Sequence, residues 1–230
     1  MQDATPTDLR RKILGSIEEA LGKFQPLMRL IREDGPIVIE GRFQLDSSKG
    51  FIDAYEVRVE LTERFPNQEP TVFEIGGRIP VSNDRHVNPG GNCCITVWES
   101  WLAEDVDHSF GGFINGPMRE YFLNQFFFEN TGKWRFGERA HGTPGLVEAY
   151  AEALDVQPNQ EMVLRYLQSL AGKPKGHLPC PCGSGKILRK CHQTELHALF
   201  VRPGQKLAAR MLSRLEKYLS LPNPNSKGRY

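Results

Sequence analysis

The chain has 230 residues, 39% of them apolar and 25% charged, which leaves room for one sizeable domain and a small appendage. No stretch approaches the roughly 18–20 apolar residues of a membrane span, since the richest run, Tyr121 to Phe128, is short and interrupted by Asn and Gln. The net charge of +1 hides an asymmetry: from residue 171 onward twelve Lys/Arg face two Glu, a balance of +10, so the first 170 residues carry −9. A basic tail on an acidic body implies contact with nucleic acid or the ribosome, or docking of the tail on the body, and the sequence leaves both open.

The first eleven residues are polar and lack the apolar core of a signal peptide. Residues 7–33 read as helix. Leu9, Ile13, Ile17 and Leu21 recur every fourth residue, followed by Phe24, Leu27 and Leu30 or Ile31. Thr7 is the expected N-cap, Pro26 a kink or break, and Asp34-Gly35-Pro36 the stop. Three runs with strand character follow. Ile37 to Leu45 is rich in β-branched and aromatic residues, Tyr55, Val57, Val59 and Leu61 alternate with charged neighbours, and Thr71, Phe73 and Ile75 alternate again. Their short polar connections predict an antiparallel meander, because parallel strands need longer crossovers.

Residues 76–112 show no sustained period and are rich in Gly, Pro, Asn and His, as a long functional loop would be. Helical patterning resumes at 117–130, where Met118, Tyr121, Phe122, Gln125 and Phe126 fall on related faces, and returns at 145–154 and 160–171. Gly172 to Gly176 reads as a linker. Residues 194–200 and 205–219 read as helices, the second with a stripe of Leu207, Met211, Leu215 and Leu219, and 222–230 as a frayed tail. There is no internal repeat.

Three of the five cysteines and one histidine fall within thirteen residues, at Cys180, Cys182, Cys191 and His192. Cys and His are zinc's preferred ligands, and four of them complete a tetrahedral site with no open position. A closed site folds a segment and does no chemistry of its own. The odd cysteine number and the need for thiolates favour a reducing cytoplasm over a disulfide framework. Residues 177–193 resemble the SEC-C motif, a small zinc hook found at the end of the secretion ATPase and on many other bacterial proteins. Lys186, Arg189 and Lys190 beside it are either a docking surface for a protein partner or a solvated face.

The remaining thiols, Cys93 and Cys94, are adjacent. On an extended segment their side chains point to opposite faces, so one is expected to be buried and the other exposed and more reactive. Gly90-Gly91 and Gly111-Gly112 lack phosphate-loop spacing, so no ATP site is expected.

Several segments, taken in order, resemble the ubiquitin-conjugating enzymes. Phe65-Pro66-Asn67-Gln68-Glu69-Pro70 resembles that family's aromatic-proline-x-x-x-proline turn, His86-Val87-Asn88 its His-Pro-Asn signature, and Gly91-Asn92-Cys93-Cys94-Ile95 its Gly-x-Ile-Cys-Leu. Trp98 or Trp101 stands where a Trp follows the family's cysteine. The resemblance covers about residues 7–130. It departs from the pattern at Val87 and in the shortened interval from His86 to Cys94. Glu129 to Trp134 and Gly137 to Gly142 look more like divergent bacterial members found in anti-phage defence and other conjugation-like operons.

The resemblance implies an α+β fold: an N-terminal helix, an antiparallel strand meander, an extended active-site loop and C-terminal helices, plus the zinc hook and a helical tail. The expected segments are a ubiquitin-conjugating-like domain over 1–171, a linker at 172–176, the zinc motif at 177–193 and a basic tail at 194–230. It further implies that Cys94 accepts an activated protein C-terminus as a thioester and that Cys93 replaces a core Ile. Asn88 would brace the loop or bond the oxyanion, and His86 would pack and brace the loop or act as a base. The partners implied are an activating enzyme and a ubiquitin-like protein or a cGAS-like nucleotidyltransferase. Two other functions stay open: a non-catalytic binding module of the same architecture, and a cysteine hydrolase pairing Cys94 with His141.

Overall fold

The computed structural model describes residues 6–32, 35–135 and 140–220; the features read at Asp34, at 137–139 and in the 222–230 tail lie outside them. The architecture is α+β, with an N-terminal helix, a four-stranded antiparallel sheet and several C-terminal helices. Among the described residues no helix is long and apolar enough to cross a membrane. The chain divides into two compact units, Met1–Thr96 with Asp105–Glu138, and Val97–Glu104 with Arg139–Tyr230. The helices expected at 145–154 and 160–171 fall in the second unit together with the cysteine-rich hook.

In the first unit, α1 (Pro6–Phe24) buries Ile17, Ala20 and Leu21 along one face. Thr7 lies inside this helix rather than capping it, and the helix stops well short of residue 33. Met28–Arg32 is instead the edge strand β1. Pro26 cannot continue the helical hydrogen bonding, and beyond it Met28 is buried while Leu27, Arg29 and Ile31 are exposed, an alternation that suits a strand. Leu27 and Ile31, which fit the fourfold spacing, do not line a helix face at all. The buried Gln25 secures the corner by pairing its side-chain amide with the backbone of Gln44, 2.8 Å and 3.1 Å.

Strands β2 (Ile37–Ser47), β3 (Gly50–Leu61) and β4 (Thr71–Glu74) complete the meander in the order β1-β2-β3-β4. Gly41 of β2 sits under the incoming chain, where a β-carbon would lie 2.2 Å from the Leu27 carbonyl oxygen. The inward residues Phe43, Leu45, Tyr55, Val57, Val59 and Val72 form the sheet's core face. Helix α4 (Pro117–Thr131) contributes Met118, Tyr121, Phe122 and Gln125 to the core, with Phe122 5.3 Å from Phe43 and 5.0 Å from Tyr55, ring centre to ring centre. Burying each such aromatic or aliphatic side chain contributes about 1.5–3 kcal/mol. Phe65 packs edge-on against Phe110 and Phe113 of the short helix α3 (Phe110–Asn115).

The second unit gathers α2 (Trp98–Ala103), α5 (Gly142–Leu154), α6 (Gln160–Ala171), α7 (Gln193–Leu199) and α8 (Gln205–Ser220). One core joins Leu146, Tyr150 and Leu154 of α5, Val163, Leu167 and Leu170 of α6, Leu196 of α7 and Ala208, Met211 and Leu215 of α8. The same core contains Cys180 and Leu188. The expected linker is tied down as well, with the Gly176 carbonyl accepting from the Arg189 N–H at 2.9 Å.

A charged knot lies in this apolar surrounding. Glu99 of α2 is only 2% exposed. It accepts from Arg210 at 2.8 Å, from Arg214 at 2.7 Å and from the Tyr150 hydroxyl at 3.2 Å. Glu99 thus ties α2 to α5 and α8. Its desolvation is offset by three donors, and removing it leaves two guanidiniums facing each other. Because both arginines reach solvent, Glu99→Ala is expected to lower stability by roughly 2–4 kcal/mol in urea titration. Glu161→Ala, which breaks only an exposed pair with Arg165, is expected to change it by less than about 0.5 kcal/mol. Equal effects would contradict this assignment.

Candidate active site and metal centre

Residues 86–94 form a small hairpin at the edge of the sheet. Val87 and Cys93 pair as an antiparallel bridge. The Cys94 N–H donates to the His86 carbonyl at 2.8 Å, the Asn88 N–H to the Asn92 carbonyl at 2.9 Å, and the Gly91 N–H closes the turn onto the Asn88 carbonyl at 2.8 Å. The Cys93 N–H donates to the Val72 carbonyl of β4 at 2.7 Å, which fastens the hairpin to the sheet. Alternation then sorts the side chains. Val87 and Cys93 are buried, while Cys94 and Asn88 are exposed and His86 is half-buried. In this register Asn88 and Cys94 lie on the side of the hairpin opposite Val87 and Cys93, with the His86 backbone paired to Cys94.

Burial pushes the Cys93 thiol up, only partly countered by hydrogen bonds from the Tyr121 hydroxyl and the Glu74 backbone. A thiol so placed is a poor nucleophile. Cys94 is the accessible one of the pair. His86 adopts a left-handed conformation with φ 51°, and its ring meets Trp134 edge-on at 5.2 Å.

The loop that delivers this hairpin is clasped at two points on one carboxylate of α4. Arg78 bonds Glu129 and Asp53 at 2.6 Å each, Arg85 bonds Glu129 at 3.1 Å, and the Tyr55 hydroxyl donates to Glu129 at 3.1 Å. Gln125, fully buried, accepts from Arg85 Nε and donates to the Arg85 carbonyl, both at 2.8 Å. None of these is among the site residues expected from the sequence. Gln125 alone carried a signal, a polar residue on the apolar stripe of its helix.

Trp98 and Trp101, whose tilted rings pack with centres 4.6 Å apart, belong to the second unit and so do not share a unit with Cys94. His141, directly before α5, is likewise in the second unit.

The metal-type cluster also sits on a hairpin. Pro179 and Ile187 pair as a bridge, the Cys180 N–H donates to the Lys186 carbonyl at 2.8 Å and the Leu188 N–H to the Leu178 carbonyl at 2.8 Å. A 3-10 turn at Leu188–Lys190 then brings Cys191 and His192 back to the first pair. The four donor atoms lie within 4.8 Å of one another. Individual separations are 3.4 Å for Cys180 Sγ to His192 Nδ1, 3.6 Å for Cys182 Sγ to Cys191 Sγ and 3.2 Å for Cys191 Sγ to His192 Nδ1. The edges of a tetrahedral zinc site with these ligands are about 3.5–3.8 Å. The four residues are therefore close enough to hold a metal ion, and the donor set is compatible with zinc.

The surroundings act on the cluster's thiols in opposite directions. Hydrogen bonds from Ser184 pull the Cys182 thiol down to about 6, while burial pushes Cys180 up. Gly183 has φ +80°, and a β-carbon there would lie 3.1 Å from the Arg165 guanidinium, so α6 supplies a positive charge against the turn. Compared with protein-family models, curated proteins and solved structures, the chain matches none.

Glu129→Ala is expected to cost roughly 1–3 kcal/mol and to make residues 76–94 the first segment cut in limited proteolysis. Cleavage starting elsewhere would contradict the clasp. Arg78 holds the Asp53 carboxyl below its ordinary range, so this contribution is present at neutral pH and is lost as pH falls through the lowered value.

Proposed function

We propose that the chain is a bacterial ubiquitin-conjugating-like transferase that carries a protein C-terminus as a thioester on Cys94 and passes it to an amine. One observation carries the reading. A strand meander is followed by a hairpin that buries Cys93 and exposes Cys94, whose N–H pairs with the His86 carbonyl. An acceptor for a macromolecular acyl group must be reachable from solvent, and Cys94 is. The resemblance of Phe65 to Pro70, His86 to Asn88 and Gly91 to Ile95 to the ubiquitin-conjugating enzymes supports the same assignment.

In the first step the Cys94 thiolate attacks the activated carboxyl carbon of the cargo. A carbon–sulfur bond forms and the activating group leaves with its electron pair. In the second, an amine nitrogen attacks the same carbon, the carbon–sulfur bond breaks, and Cys94 departs as thiolate while the ammonium proton passes to solvent. The thioester is already activated, so alignment and local desolvation of the amine do most of the work. Asn88 supplies a hydrogen bond to the oxyanion or braces the turn, and His86 braces the hairpin. An activating enzyme must supply the cargo, a ubiquitin-like protein or a cGAS-like nucleotidyltransferase, and anti-phage conjugation operons are the setting the resemblance suggests.

The second unit completes the proposal with one structural zinc on Cys180, Cys182, Cys191 and His192. Bound there, zinc supplies cross-linking rather than catalysis, because all four positions are taken by protein. Cys180 and Leu188 lie in the unit's core, so losing the ion loosens more than the hook.

Co-expressed with the proteins of its operon, the wild-type chain is expected to form a thiol-sensitive adduct. Cys94→Ala should abolish it and Cys93→Ala should keep it, while Asn88→Ala should slow discharge to an amine roughly 10²-fold. An adduct that survives Cys94→Ala would sink the assignment. Elemental analysis is expected to find one zinc per chain, lost in Cys182→Ser and released on acidification as protons take the thiolates. Metal-free protein with an unchanged unfolding midpoint would refute the zinc site.

A further inference from the structure

We propose that Tyr121 is a positioning residue that decides which of the two adjacent thiols faces solvent. The inference builds on the reading of Cys94 as the reactive thiol and names what enforces it. A one-residue slip of an extended segment exchanges its two faces, so the hairpin could in principle present Cys93 instead. The contacts beneath it select against that register.

The Tyr121 ring is buried on α4, and its hydroxyl lies 3.3 Å from the carbonyl oxygens of both Arg85 and His86. The His86 carbonyl is also the acceptor of the Cys94 N–H. One hydroxyl therefore holds the strand that Cys94 pairs with. The buried Cys93 thiol, the group that must stay inside, lies near enough to the same hydroxyl to be lowered by it against the push of burial. One turn further along α4, Gln125 fixes Arg85 at both its carbonyl and its guanidinium. Tyr121 and Gln125, spaced four apart on one helix face, act as a template for residues 85–86 and, across the hairpin, for 93–94.

Tyr121→Phe keeps the ring and deletes only the hydroxyl, which makes it the informative variant. Both proteins are treated with iodoacetamide under native conditions, and labelling of each cysteine is followed by peptide mass spectrometry. The wild type is expected to label at Cys94 while Cys93 stays protected. In Tyr121→Phe, labelling of Cys93 is expected to rise about five- to tenfold, the scale of one lost buried hydrogen bond, with Cys94 changed less than about twofold. This rise should not depend on urea below the unfolding transition, because it reports local opening.

Phe113→Leu, which weakens the core at α3, is the control for general destabilisation and should raise Cys93 labelling only in step with global unfolding. Unchanged Cys93 labelling in Tyr121→Phe, or a rise that follows urea as the control does, overturns the proposal. Should Tyr121→Phe not fold, Gln125→Met removes the neighbouring hold on Arg85, and a urea-independent rise is expected there as well; its absence also overturns the proposal. Labelling needs no acyl donor. A negative result therefore leaves the transferase reading standing, whereas loss of adduct formation with the labelling pattern intact would count against the transferase alone.

Discussion

Two neighbouring side chains on an extended backbone cannot share a face, and the candidate site is arranged around that constraint. Pairing of Val87 with Cys93 turns both inward, which leaves Cys94 facing solvent. The sheet supplies the edge on which the hairpin rests, through the Cys93 N–H to the Val72 carbonyl. Helix α4 supplies the rest: Tyr121 and Gln125 beneath the hairpin, and Glu129 receiving both arginines of the loop that leads to it. A long loop is entropically expensive to hold in one place, and here several buried or half-buried polar contacts share that cost.

The second unit uses cysteine differently. Its three thiols and His192 face one another on a small hairpin, an arrangement suited to a metal and closed to substrate. Cys180 and Leu188 reach into the helical core, so the hook is part of that core rather than an ornament attached to it. Glu99 serves a comparable end by polar means, joining α2 to α5 and α8 through two arginines and a tyrosine. Five cysteines are thus divided among three roles: one exposed, one buried and three in a metal-type cluster.

Much of this was legible because the physics is local. Strand β2 betrays itself by β-branched and aromatic residues, β3 and β4 by alternation, α4, α6 and α8 by apolar stripes, and the metal-type cluster by spacing alone. The opposite exposure of Cys93 and Cys94 followed from extended geometry. What failed, failed for identifiable reasons. Met28–Arg32 carries apolar residues at a spacing that a helix and a strand both tolerate, and Pro26 with the pairing to β2 decides for the strand. The short helices α2 and α3 are about one and a half turns each, too brief for periodicity to register. The clasp on Glu129 and the knot at Glu99 join residues 44–115 positions apart, and composition gives no hint of such partners. Unit boundaries were hidden for the same reason, since Val97–Glu104 joins a unit whose other residues begin only at Arg139.

The central claim is that Cys94 itself carries the acyl group. The most direct measurement replaces its sulfur with oxygen: Cys94→Ser, co-expressed with the same operon proteins, converts a labile thioester into a longer-lived ester that tandem mass spectrometry can locate. The expected result is a cargo C-terminus joined to residue 94, stable to thiols and cleaved by hydroxylamine. An adduct mapped to Cys93, or none at all in variant and wild type alike, would contradict it.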